Sequence, residues 1–178
     1  MMRCREFFFV RHGQTDHNTG KIQGEHGDIR LNTVGLAQAE AIEPFIATLP
    51  LRVVFYSPMQ RARETKDIIT RRISTRCLEI PEFTECPCSV WEEIRQGSAK
   101  GALAKQFMER VKDGLQKVLV EEGPALIVAH GGVYSAIFTW LNLKGGRIID
   151  NCIPMRFFLN PKGYWSVTGL DYILDGIQ

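Results

Sequence analysis

His12, in Arg11-His12-Gly13, and His130, in His130-Gly131-Gly132, each stand directly before glycine. Each follows an apolar run, Phe7–Val10 in one case and Ala125–Ala129 in the other. A third strand-like run, 52–56, leads into Ser57-Pro58 and a segment carrying Arg61 and Arg63. Imidazoles and guanidinium groups gathered around one point suit an anion, and a phosphoryl group best. The planar fork of arginine holds two phosphate oxygens at once, and glycine lets backbone N–H groups approach. A metal ion is the weaker reading, because the neighbouring arginines repel a cation. Carboxyl groups that could move protons follow a fourth run, 77–80: Glu82, Glu85, Glu92 and Glu93, with Trp91 among them.

These residues reach one point only if particular elements present them. Strands are expected at 5–10, 52–56, 77–80, 125–129, 155–160 and 164–168, from short apolar or β-branched runs. Helices are expected between them: Thr33–Thr48 capped by Asn32, Pro58 to about Arg72, Ala102–Glu122 and Val133–Leu143. The apolar positions expected to face the core include Leu36, Ala39 and Ile42 in the first helix, and Leu103, Phe107, Val111, Leu115 and Val118 in the third. Residues 80–102 read as a loop. Strand–helix alternation implies an α/β fold, a three-layer α/β/α sandwich with a mostly parallel sheet. The last two strands, joined by Asn160-Pro161-Lys162-Gly163, form a hairpin that adds an antiparallel edge. In such sheets ligands gather beyond the carboxyl ends of the strands, where Arg11-His12, Ser57–Arg61 and His130 all fall.

The chain has 178 residues, enough for a single domain with a proper core. Lys and Arg number 22 against 20 Asp and Glu, so global charge argues for neither a nucleic-acid nor a membrane partner. The Phe7–Val10 run is too short for an export signal. The five cysteines therefore read as reduced thiols of a cytoplasmic protein, Cys86 and Cys88 included. Arg63, Arg71 and Arg72 read as a solvated helix face, His17 and His26 as polar loop residues, and Trp91 as a packing anchor.

Several spaced motifs carry a family resemblance: RHGQTDHN at 11–18; Gln23-Gly24, Asp28, Leu31, Gly35 and Gln38-Ala39 after it; SPMQRARET at 57–65; VAHGGV at 128–133. In this order they resemble the histidine phosphatase superfamily, the phosphoglycerate mutase-like enzymes. The resemblance implies a single phosphoglycerate mutase-like domain over 1–178, with a minimal cap around 82–102. It implies His12 as nucleophile, forming a phosphohistidine, and Arg11, Arg61 and His130 as holders of the phosphoryl oxygens. Glu85, six residues before Trp91, takes the general-acid position, with Glu82 and Glu92 as alternatives because Ser89 and Glu93 replace the usual glycines. Gly13, Asn18, Gln23, Gly24 and Gly131 follow as phosphate or substrate contacts.

The implied activity is metal-independent hydrolysis of phosphomonoesters, with no cofactor. Its substrate would be a small phosphorylated metabolite or a phosphoprotein. The segment after Glu93 and the tail after Thr168 are short beside the covers of family mutases, which favours water reaching the phosphohistidine. The alternatives are mutase-type phosphoryl transfer and an inactive phospho-ligand binder.

Overall fold

The computed structural model describes residues 2–22, 27–146 and 148–170. It contains six strands, β1 Glu6–Arg11, β2 Val53–Tyr56, β3 Arg76–Glu79, β4 Ala125–Ala129, β5 Met155–Leu159 and β6 Trp165–Gly169, in one sheet of order β3-β2-β4-β1-β5-β6. The first four run parallel, and β5 and β6 extend the sheet antiparallel, as the hairpin reading expects. The helices are α1 Thr33–Ile46, α2 Gln60–Ile69, α3 Cys88–Arg95, α4 Ala102–Leu119 and α5 Gly131–Trp140. None among the described residues is long and apolar enough to cross a membrane.

β1 lies between β4 and β5 and is covered on both faces, which explains why four consecutive apolar residues are needed. Phe7 and Phe9 join the core under α3, α4 and α5; Phe8 and Val10 join the core under α1 and α2. This is the three-layer arrangement. Parallel pairing puts Arg11 level with Ala129, and Val10 level with Val128 and Tyr56. His12, Ser57 and His130 therefore leave the sheet at one height. Their strand ends are pinned by His12 N–H to Ala129 O and Ser57 N–H to Val128 O, both 3.0 Å.

Three details depart from the sequence reading. Residues 80–102 are not all loop: a 3-10 turn at Pro81–Phe83 precedes α3, whose buried Val90 and Ile94 are four apart and form a helical stripe. α5 begins at Gly131, so the glycine pair opens the helix and His130 stands at its N-cap. Leu36 and Leu103 are exposed; the buried faces of α1 and α4 begin instead at Gly35 and Ala104. Arg71 and Arg72 also do more than solvate a helix face. Their guanidinium groups approach the fully buried Glu43 carboxylate at 3.4 and 3.0 Å, compensating a charge that burial would otherwise penalise heavily.

The segment after β1 packs against the start of α1 backbone to backbone at Gly13 and Gly35, and through the side chains of Gln14 and Asn32. Asn32 caps α1 by accepting from Gly35 N–H at 2.9 Å. A Cβ placed on Gly35 would lie 2.1 Å from Gln14 O, and one on Gly13 would lie 2.4 Å from Gly35 O. Both neighbours are backbone and cannot swing aside. Gly35→Ala is thus expected to lower stability by about 2–3 kcal/mol, read as a fall in the urea midpoint with an unchanged slope.

Candidate active site

His12 is buried, and its two ring nitrogens have unlike partners. Nδ1 lies 2.8 Å from Gly13 O, and Nε2 lies 3.2 Å from Arg61 Nε. A carbonyl only accepts and a guanidinium only donates. Both contacts therefore demand the same tautomer, with the proton on Nδ1 and a bare lone pair on Nε2. The supporting backbone is held from several sides. Gly13 N–H donates to Thr65 Oγ1 at 3.0 Å, Asn151 Nδ2 donates to His12 O at 2.7 Å, and Cys152 N–H donates to Arg11 O at 2.9 Å. Cys152 adopts a φ of 55°, a left-handed conformation uncommon for a residue with a side chain.

Arg11 and Arg61 supply the positive charge. Arg11 Nη1 donates to Ile149 O at 2.8 Å, and Arg61 Nη1 donates to Gly27 O at 3.0 Å. Burial lowers the proton affinity of both guanidinium groups, and the nearby Glu85 carboxylate opposes that effect. Among the described residues, the buried Arg11 Nε has no hydrogen-bond partner, as expected of a donor kept for a ligand.

Glu85 joins this group from the turn before α3. Its Oε2 accepts from Gly132 N–H at 3.1 Å, and its Oε1 accepts from Cys86 N–H at 2.9 Å. Glycine is required at 132: a Cβ there would stand 2.3 Å from Glu85 Oε1. Arg110 of α4 braces the same turn, donating to Pro81 O and Glu82 O, each at 3.1 Å. The alternative carboxylates face elsewhere. Glu82 pairs with Lys117 at 2.6 Å, and the exposed Glu92 pairs with Arg95 at 2.6 Å.

Arg11, His12, Arg61 and Glu85 line one cavity of about 390 Å³. Thr15, His17 and Asn18 add polar wall, while Ile29, Cys88 and Trp91 add apolar and thiol surface. His17 and Trp91, read from sequence as a loop residue and a packing anchor, thus face the cavity. His130 is fully buried and does not line it. Its Nε2 lies 2.7 Å from Ser57 Oγ, and its ring centroid 5.1 Å from that of His12.

Gly13 also differs from expectation. Its N–H is taken by Thr65, so its contribution is the carbonyl that orients His12. Gly131 leaves space for Trp91, whose Cη2 would be 3.2 Å from an added Cβ. Asn18 lines the cavity, and its Oδ1 accepts from Thr15 N–H at 3.0 Å. Gln23, Gly24 and His26 lie outside the described residues. Ser57 and Thr65 sit within the SPMQRARET motif and were legible there, whereas nothing in the sequence pointed to Asn151. No group of three metal-ligating side chains occurs among the described residues.

Known proteins resemble the chain in sequence and in fold. A model of the histidine phosphatase superfamily (branch 1) matches residues 7–100. The chain is 27% identical to the uncharacterized phosphatase PhoE of Bacillus subtilis, over 89% of this chain and 90% of that protein. It is 24% identical to the broad-specificity phosphatase YOR283W of Saccharomyces cerevisiae, over 96% of this chain and 81% of that protein. Its fold is similar to that of a phosphoglycerate mutase from Bacillus anthracis, with a TM-score of 0.75 at 17% identity, covering 97% of this chain and 96% of that one.

Two measurements check the site as described. Long-range ¹⁵N correlation spectra at pH 8 should show His12 as the neutral tautomer protonated on Nδ1; an Nε2-protonated ring would contradict the contacts with Gly13 and Arg61. Burial raises the Cys152 thiol to about 12 and pushes the Cys86 thiol up as well, so both stay protonated throughout the neutral and mildly alkaline range. Iodoacetamide at pH 8.5 should therefore label the exposed Cys77 in the folded protein, spare Cys86 and Cys152, and reach all five cysteines once the chain is unfolded.

Proposed function

Since the chain belongs to the histidine phosphatase superfamily (branch 1), we propose that it is a metal-independent phosphatase hydrolysing phosphomonoesters through a phosphohistidine on His12. The observation that carries this reading is the His12 tautomer. Its Nδ1 proton is held by Gly13 O, so the Nε2 lone pair is held ready within a cavity lined by two guanidinium groups.

In the first half-reaction the Nε2 lone pair forms a bond to phosphorus, and the bond from phosphorus to the ester oxygen breaks. The Arg61 Nε–H that donates to Nε2 turns to a phosphoryl oxygen. Arg11 and Arg61 then stabilise charge spread over the equatorial oxygens. His130 is assigned as a further donor to that group. Its ring lies next to that of His12, tilted by 59° with the centroids 5.1 Å apart.

Glu85, protonated, gives its proton to the departing oxygen, and as a carboxylate it then takes one from water. That water attacks phosphorus, the bond to Nε2 breaks, and phosphate leaves. Hydrolysis is favoured over transfer to a second substrate because only Gln96–Gly101 separate α3 from α4, which leaves a minimal cap over the site. The substrate is read as a small phosphorylated metabolite, within a single domain.

The purified protein should hydrolyse p-nitrophenyl phosphate at an unchanged rate in EDTA, and His12→Ala should lose at least about 10³-fold in kcat. Glu85→Gln should lose about 10²–10³-fold on alkyl phosphates and far less on p-nitrophenyl phosphate, whose leaving group needs little protonation. Phosphate binding without turnover across a phosphoester panel would overturn the assignment.

A further inference from the structure

Once Arg11, His12, Arg61 and Glu85 are assigned to the phosphoryl group and its proton, the rest of the cavity must hold the remainder of the substrate. Its chemistry differs from that of the cationic floor. Trp91 and Cys88 stand three apart on one side of α3 and both line the cavity, with Ile29 contributed by a separate loop. The indole is fixed rather than mobile. Trp91 is partly buried against the core formed with α4 and α5, and its Cη2 reaches the backbone of Gly131 where no side chain intervenes. Arg11 Nε lies 3.7 Å from the point where a Gly131 Cβ would stand, so the indole edge and the Arg11 guanidinium flank the same backbone position. The aromatic wall thus borders the phosphoryl site directly.

Charge complements this surface. Among the described lining residues, Arg11 and Arg61 are the permanent cations, and both are committed to the phosphoryl group. Residues 23–26, which precede Gly27 in the chain, read Gln-Gly-Glu-His and hold no lysine or arginine. Lys21 lines a separate surface groove and lies 3.7 Å from Asp16. A second phosphate or a carboxylate on the substrate would face the Glu85 side chain and, among the described lining residues, no further arginine or lysine. Desolvating an anion without a committed cation is unfavourable, whereas an apolar ring on Trp91 and Ile29 gains by burial. The volume of about 390 Å³ is at the small end of ligand pockets, suiting a single ring beside the phosphoryl group.

We propose that this site selects small monophosphates whose leaving group is uncharged and carries an apolar ring or short apolar chain, with Trp91 and Ile29 as the specificity-determining residues. The proposal rests on the phosphomonoesterase reading above for its chemistry, but the preference is a property of the cavity and is readable without turnover.

Benzyl phosphate, glycerol 3-phosphate and 3-phosphoglycerate are all alkyl phosphates, and they differ in whether the leaving group is apolar, polar or anionic. Benzyl phosphate should exceed glycerol 3-phosphate by about 10–100-fold in kcat/KM, and 3-phosphoglycerate by more. Trp91→Ala should bring the first ratio to within about threefold. Because Trp91 also packs on the core, Ile29→Ser supplies an independent variant, expected to narrow the same ratio severalfold. Calorimetry with benzylphosphonate and phosphonoacetate reads the same preference on the intact protein. Tight benzylphosphonate binding with no hydrolysis of any ester would support the pocket chemistry while overturning the reaction. A kcat/KM for 3-phosphoglycerate equal to or above that for benzyl phosphate, or equal affinity for the two phosphonates, would overturn the proposal, as would equal losses on all three esters in both variants.

Discussion

The arrangement of the site depends on one hydrogen bond, from His12 Nδ1 to the carbonyl of the next residue, Gly13. A neutral imidazole carries one proton, and whichever nitrogen keeps it leaves the other as the nucleophile. Gly13 can serve because its peptide is immobilised. Its N–H is bound by Thr65 from α2, and its Cα faces the backbone of Gly35 at the start of α1 with no space for a side chain. Two helices on one face of the sheet therefore determine the chemistry of a ring at its edge. The segment before β5 completes the restraint through Asn151 and Cys152, with part of the cost held in the left-handed backbone of Cys152.

Electrostatics follows from that geometry. Two guanidinium groups are drawn into a buried rim, each losing hydration, and Glu85 is the carboxylate set among them. Of the other glutamates of the region, Glu82 pairs with Lys117 and Glu92 with Arg95, while Glu93 accepts from the backbone N–H groups of Lys100 and Gly101. Among the described lining residues, two guanidinium groups thus share the cavity with one carboxyl group, that of Glu85. Gly132 links this group to the sheet. Its N–H holds Glu85, and its missing side chain lets the carboxylate lie at the start of α5.

Much of this was legible in the sequence where local and global signals agree. β1, β2 and β4 are apolar because both faces are covered, and their ends coincide with the charged motifs, so Arg11, His12, Arg61 and His130 emerged together, while Glu85 rested on the family resemblance. The failures have a common physical origin. α3 is short, opens after Pro87 and buries only Val90 and Ile94, so its period spans a single repeat and resembles loop. His17, Trp91 and Ile29 reach the cavity through tertiary folding of segments whose local composition is unremarkable for loops or packing. Asn151 acts through its side-chain amide on the backbone of a residue 139 positions away, and no spacing rule connects the two. Gly13 was read as room for phosphate because glycine beside histidine suggests free N–H groups; the hydroxyl that occupies this one lies 52 residues downstream.

The division between legible and illegible parts coincides with a division of labour. Arg11 and His12 stand at the end of β1 and His130 at the end of β4, so strand register fixes their positions, whereas Arg61 is carried by α2 and Glu85 by the turn before α3. Groups that meet the rest of a substrate come from α3 and from the loops after β1, elements with few buried residues and little constraint from the sheet. A change in α3 can alter the cavity wall at Cys88 or Trp91 without disturbing the His12 tautomer, because Gly13, Thr65 and Asn151 do not touch that helix. The two functions meet at the Gly131-Gly132 pair, where one glycine admits the indole and the other the carboxylate. A side chain at either position would displace Trp91 or Glu85, so the opening turn of α5 ties the positions of these two residues together.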